Sequence, residues 1–137
     1  MRLRYITLHE RSVRSSLGSE PTEHELLLAA RKLFNRLKRI KAVKAAVEKT
    51  GNIIFRLDLI GTPEVHFTII MRNNKLSFST ERIAPDLAVG LHKKWFIELI
   101  NQPNHPNPKQ IFDNVQLRKG NVHQFKRFKS IWLECIC

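Results

Sequence analysis

Phe55-Arg56-Leu57-Asp58-Leu59, then the turn Gly61-Thr62-Pro63, then Val65-His66-Phe67-Thr68-Ile69-Ile70-Met71 form the stretch whose reading decides the fold. In both runs an apolar side chain returns at every second residue, the period at which a strand sends alternate side chains to opposite faces. Two strands with one buried face each are therefore predicted. Asn73-Asn74 can adopt the positive φ of a two-residue hairpin, and Leu76 and Phe78 carry the inward set onto a third strand, so a meander follows. Further on, Leu87, Val89 and Leu91 alternate in a fourth strand over 86–91, and Val115, Leu117 and Lys119 in a short fifth.

Helical periods flank these strands. Thr22 can cap the amide of Glu25 while the Glu25 side chain reaches back, which sets a helix start. Leu26, Ala30, Leu33, Leu37, Ile40 and Val47 recur at steps of three, four and seven, and Thr50-Gly51 supplies a stop. One long leading helix over 21–50, about 40 Å at 1.5 Å per residue, is the expectation. Its other faces carry Arg31, Lys32, Arg36, Lys38, Arg39, Lys41 and Lys44. Residues 93–101, with Trp95, Phe96, Leu99 and Ile100, read as a helix, and a short one restarts at Pro108. Asn121 can cap a last helix with Val122, Phe125, Phe128, Trp132 and Ile136 as its apolar stripe, and with Lys126, Arg127 and Lys129 facing away. The class is α+β: a sheet covered on one face by helices.

At 137 residues the chain suits one domain, read as 21–137 behind a tail over 1–20. No run approaches the ~18 apolar residues of a membrane span. Residues 1–20 hold Arg2, Arg4, Arg11 and Arg14 among serines, without the apolar core of a secretory signal. They read as a loose tail, or an edge strand from Leu3-Arg4-Tyr5-Ile6, with an organellar targeting segment as the alternative. A bridge between Cys135 and Cys137 would close almost no loop, so a reducing, cytoplasmic setting is expected. The net charge is +12, of which residues 1–50 carry +7, 51–100 carry +1 and 101–137 carry +4. Such terminal basic surfaces attract anionic membrane, nucleic acid or an acidic protein.

Chemistry-bearing motifs are sparse. The sequence has no Gly-rich phosphate loop, no His-Glu-x-x-His and no Gly-x-Ser-x-Gly. The histidines (His9, His24, His66, His92, His105, His123) share no ligand spacing, and Cys135-x-Cys137 offers two thiolates where a structural zinc needs four ligands. No catalytic residue, metal or cofactor is expected. Eight Phe and two Trp stand out against one Tyr. Core packing is the commonest use of such rings, and lining an apolar ligand cavity is the other.

Over 58–132 the chain resembles the sterol carrier protein type 2 family of lipid-binding domains. The resemblance rests on the hairpin Met71-Arg72-Asn73-Asn74-Lys75-Leu76-Ser77-Phe78 and on Pro85-Asp86-Leu87-Ala88-Val89-Gly90-Leu91 running into Trp95-Phe96-Ile97-Glu98-Leu99-Ile100. Pro108-Lys109-Gln110-Ile111-Phe112 and Val115-Gln116-Leu117-Arg118-Lys119-Gly120-Asn121 complete it. It implies a five-stranded, mostly antiparallel sheet, an apolar tunnel between sheet and helices, and binding of sterols, acyl lipids or isoprenoids without catalysis. Some bacterial members are accessory factors in ubiquinone synthesis. Where relatives place small residues in the opening turn of the last helix, this chain has His123, Gln124 and Phe125, which would narrow a tunnel.

The expectation is thus a non-enzymatic carrier or accessory protein for a hydrophobic ligand, such as a sterol, an acyl lipid or a ubiquinone intermediate. Phe67, Ile69, Phe78, Trp95, Phe96, Phe112, Phe128 and Trp132 are the predicted cavity lining. Arg31, Lys32, Arg36, Lys38 and Arg39 are the predicted surface for anionic membrane or a partner enzyme. The alternative is a basic protein- or nucleic-acid-interaction module with a filled aromatic core.

Overall fold

The computed structural model describes residues 20–102 and 107–136. The expectations placed on residues 1–19, whether tail, edge strand or targeting segment, and on Cys137 lie outside the described residues.

The leading helix is two helices. α1 (Glu23–Leu37) opens with the expected reciprocal cap: Thr22 Oγ1 accepts from the Glu25 amide at 3.1 Å, and Glu25 Oε1 accepts from the Thr22 amide at 2.8 Å. It closes in tighter turns, the amides of Arg39 and Ile40 each reaching back three residues to Arg36 and Leu37. Ile40 is extended (φ −81°, ψ 130°), and α2 (Lys41–Thr50) restarts from it. Neither Gly nor Pro breaks the chain here. What decides is packing: Leu26, Ala29 and Ala30 of α1 enter one core cluster, and Val43 and Val47 of α2 enter another. A straight rod could not turn its stripe toward both. Ile40, placed on the stripe by its spacing, is 44% exposed at the bend.

β1 (Ile53–Ile60) and β2 (Val65–Arg72) pair antiparallel, with Phe55 opposite Ile69 and Leu57 opposite Phe67. Asn73 and Asn74 both have positive φ (55° and 62°), the two-residue turn that delivers the chain to β3 (Lys75–Ser79), where Phe78 pairs with Ile69. β4 (Leu87–His92) then returns beside β1, parallel to it, and β5 (Gln116–Lys119) pairs antiparallel with β4. The order is β3-β2-β1-β4-β5, with three antiparallel pairings and one parallel. Asp86 pins the parallel strand in register: its Oδ2 accepts from the Ile54 amide at 2.8 Å, and its own amide donates to the Ile54 carbonyl.

Between β4 and β5 run α3 (Lys93–Asn101) and the short α4 (Pro108–Asp113), and α5 (Val122–Ile136) ends the described chain. Asn121 Oδ1 accepts from the Gln124 amide at 3.1 Å, the expected cap. Val122, the first residue of the helix, leaves the apolar stripe and is 52% exposed. Arg127 is tied to α2, donating to the carbonyls of Lys49 and Thr50 at that helix's C-terminus, where a cation also meets the negative end of the helix dipole.

Candidate functional site

Alternation along the strands gives the sheet two unlike faces. Phe55 and Leu57 of β1, Phe67, Ile69 and Met71 of β2, Leu76 of β3 and Val89 and Leu91 of β4 point to the helices. Together with Ala30, Leu33, Phe34 and Leu37 of α1, Phe96 and Leu99 of α3, Phe112 of α4 and Phe125, Phe128 and Trp132 of α5, they enclose a cavity of about 230 Å³. That exceeds the ~150 Å³ at which a cavity lined by Leu, Ile and Phe stays dry and accepts benzene. Apolar ligands fill such a void at little desolvation cost to the wall.

The rings gather at the two ends. Phe67 stacks on Phe78 (5.3 Å between centroids) and tilts against Phe96 (6.2 Å), while Phe34 meets Phe78 at 5.6 Å. At the other end Phe55 stacks on Phe128 (4.5 Å), which tilts against Trp132 (6.0 Å). Leu57, Ile69 and Val115 pack against both clusters and line the void where they meet. Two stiff aromatic cores with aliphatic side chains between them leave space that neither closes. Trp132 is further fixed by its indole N–H, which donates to Thr50 Oγ1 at 3.1 Å, while the Thr50 hydroxyl donates to the Ala46 carbonyl at 2.6 Å.

Six of the eight aromatic or branched positions expected along a cavity lie on this wall: Phe67, Ile69, Phe96, Phe112, Phe128 and Trp132. Phe78 and Trp95 do not. Phe78 is held behind Phe67 with the Arg31 guanidinium over its ring at 4.8 Å, and Trp95 packs against the core cluster that holds Phe67, with the Lys94 ammonium 5.4 Å from its ring centroid. The rest of the wall lies off the expected set, Phe34, Phe55, Phe125 and Lys129 among it. Phe125, one of the bulky residues opening α5, borders the cavity rather than blocking it, and Lys129, expected to face away, is the charged residue of the lining, its Nζ 5.7 Å from the Phe125 ring centroid. The aliphatic positions were visible in the same alternation that picked out the rings. Cys135 packs against the second cluster, and burial pushes its thiol up, which keeps it neutral there.

The basic residues divide in two. All are exposed: Arg31, Lys32 and Arg36 along α1, and Lys38 and Arg39 at the bend, where with Lys44, Glu48 and Lys75 they line a cleft of about 550 Å³. Val43 and Leu76 belong to the walls of both this cleft and the apolar cavity.

On the opposite face of the sheet Asp58 is 1% exposed. Its Oδ1 accepts from Arg56 Nε and His66 Nδ1, both at 2.8 Å, and its Oδ2 from Arg56 Nη2 at 3.1 Å and Arg118 Nη1 at 3.0 Å. Arg118 crosses over Gly90 to do so; a Cβ there would lie 2.9 Å from Arg118 Cδ and 2.7 Å from Ile60 Cδ1. Among the described residues no group of three His, Cys, Asp or Glu side chains is arranged to hold a metal, and no helix is long and apolar enough to cross a membrane.

No family model matches the sequence, and no curated protein does. Solved structures do. A UbiJ-SCP2 ubiquinone synthesis protein superposes with a TM-score of 0.56 at 13% identity, covering 84% of this chain and 99% of that one. A crystal structure of sterol carrier protein 2 gives 0.55 at 13% identity over 78% of this chain and 89% of that one. A conserved hypothetical protein from Thermus thermophilus gives 0.53 at 13% over 90% and 92%. With its helices on one face of a five-stranded mixed sheet, the chain has the fold of sterol carrier protein 2.

Proposed function

We propose that this protein is a non-enzymatic carrier that holds the hydrocarbon chain of an acyl or isoprenoid lipid in the cavity between sheet and helices. The observation that carries this reading is the cavity itself, walled by apolar side chains from all five described helices and from four strands. Each methylene taken out of water there contributes about 0.8 kcal/mol, so a chain of about ten contributes about 8 kcal/mol toward binding, against which the entropy of association is set. The shared fold with a protein described as a ubiquinone synthesis protein supports a prenylated ring compound as cargo, presented to a partner enzyme. The exposed Arg31, Lys32 and Arg36, with Lys38 and Arg39, suit transient contact with an anionic membrane.

Native mass spectrometry of protein purified from cells, with lipid extraction, tests the reading, and a bound lipid is expected. In titrations with acyl or prenyl ligands Trp132 fluorescence should quench. Val115→Phe, which adds a ring where the two clusters meet, should abolish that quench while changing stability by less than about 1.5 kcal/mol. Absence of lipid together with an unresponsive Trp132 would defeat the proposal.

A further inference from the structure

The cleft at the bend between α1 and α2 gathers cations that the fold leaves without counterions. Lys38 and Arg39 lie at the turn, Lys44 is one helical turn into α2, and Lys75 stands across from them at the start of β3. Among the described residues no carboxylate forms an ion pair with any of the four, whereas Arg56 and Arg118 share Asp58, Lys49 meets Glu134 and Lys109 meets Asp113. Glu48 is the acidic residue of the lining. Lys75 is also opposite Arg72 across the hairpin, a like-charge pairing that lowers stability. The N-terminus of α2, with no side-chain cap from Ile40 and no acidic residue in its first turn, adds to the same positive field. Folding gains nothing from this concentration of charge, and a concave cationic space focuses potential more strongly than a flat one.

Beneath this exposed rim lies an apolar floor, made by the buried Val43 and Val47 and the half-buried Leu76. The Lys38 ammonium, 5.8 Å from the centroid of the Phe34 ring, anchors one end of the rim, and Asn74, at the tip of the hairpin, brings an amide to the other. An inorganic anion or a phosphodiester backbone would engage the rim and leave the floor unused. No aromatic ring among the lining residues offers a nucleic-acid base a stacking partner. A flat bilayer is met equally well by Arg31, Lys32 and Arg36, outside the cleft. Carboxylates spaced around an apolar side chain match both rim and floor. We infer that the cleft docks an acidic segment of a partner protein, with its carboxylates on Arg39, Lys44 and Lys75 and an apolar side chain between them over Val43, Val47 and Leu76. Such docking asks nothing of the cavity, so it stands or falls apart from the carrier reading.

The test uses the whole chain and a fluorescein-labelled peptide of glutamates with two leucines at its centre, followed by anisotropy. At low salt this peptide should bind about tenfold or more tightly than the same peptide with Gln for every Glu. Replacing both leucines by Ser should weaken it about fivefold, through apolar surface no longer covered on the floor. Arg39→Gln/Lys44→Gln/Lys75→Gln should lose about tenfold or more in affinity for the acidic peptide. Lys32→Gln/Arg36→Gln/Lys126→Gln removes the same charge from exposed sites outside the cleft and should stay within about twofold of wild type. Thermal melts of both variants should follow wild type, since every one of these side chains is exposed. Equal losses in the two variants would overturn the cleft and leave net charge as the cause. An acidic peptide that binds no more tightly than its Gln form, or equally well without its leucines, would overturn the docking site. So would a larger loss in the cleft variant for a single-stranded oligonucleotide, or for vesicles containing phosphatidylserine, than for the peptide.

Discussion

Leu59 and Asp58 are neighbours on β1 and equally hidden from water, yet they are buried on opposite terms. Leu59, fully buried toward the helices, is surrounded by side chains that ask nothing directional of it. Asp58, toward the open side, is covered by Arg56, His66 and Arg118, and every one of those contacts has a donor, an acceptor and a length. The helix-facing side can leave a void, because its wall is apolar but for Lys129 and the loss is spread over many weak contacts. The other face cannot tolerate an unfilled partner, but it ties β1, β2 and β5 together through one carboxylate and its three donors. The division of labour follows: one face supplies variable space, and the other holds the sheet's shape whether or not that space is filled.

Removing a side chain from each face breaks this comparison most directly. Leu59→Ala should cost about 2–5 kcal/mol in urea denaturation, the range for a fully buried leucine whose site relaxes only partly. Asp58→Ala should cost less, about 1.5–3 kcal/mol, because Arg56 and Arg118 are 32% and 40% exposed and can recover water once the carboxylate is gone. Occupancy sharpens the contrast: ligand should raise the unfolding midpoint of Asp58→Ala as much as that of wild type, since the cavity lies on the other side. Smaller still is Gly90→Ala, expected at about 1–3 kcal/mol because its Cβ displaces Arg118 and Ile60. In a cycle with Arg118→Ala the two losses should fall short of additivity by more than about 0.5 kcal/mol. Additivity within error would mean that Arg118 does not depend on the space above Gly90.

Much of the fold was legible because strand period, turn chemistry and caps agree locally. Asn73-Asn74, the Thr22–Glu25 box and Asn121 act within three residues of themselves, and each is found where its residue type places it. The bend at Lys38–Ile40 was not legible, since no residue there disfavours helix; two core clusters at different ends of the sheet impose it. The same distinction runs through the candidate site. Alternation tells which face a ring takes but not how far along the sheet it lies from the void, so Phe78 and Trp95 are apolar and inward without touching the cavity. Asp58 escaped notice for a related reason. A charge between apolar residues on a strand reads as solvent-facing, and only the arrival of Arg118, sixty residues later, makes it an interior group.

The strand order has a bearing on self-association. Among the described residues β1 is at the centre and the sheet's edges are β3 and β5, strands of five and four residues. β5 begins and ends with the polar Gln116 and Lys119, and its ladder to β4 is interrupted at Ala88 and Val89. Short, charged and irregular edges are poor templates for a second copy's strand. A chain bearing +12 adds long-range repulsion between copies. The sheet, although its face away from the described helices carries Ile54, Ile60 and Ile70 in half-buried positions, is thereby ill-suited to edge-to-edge growth.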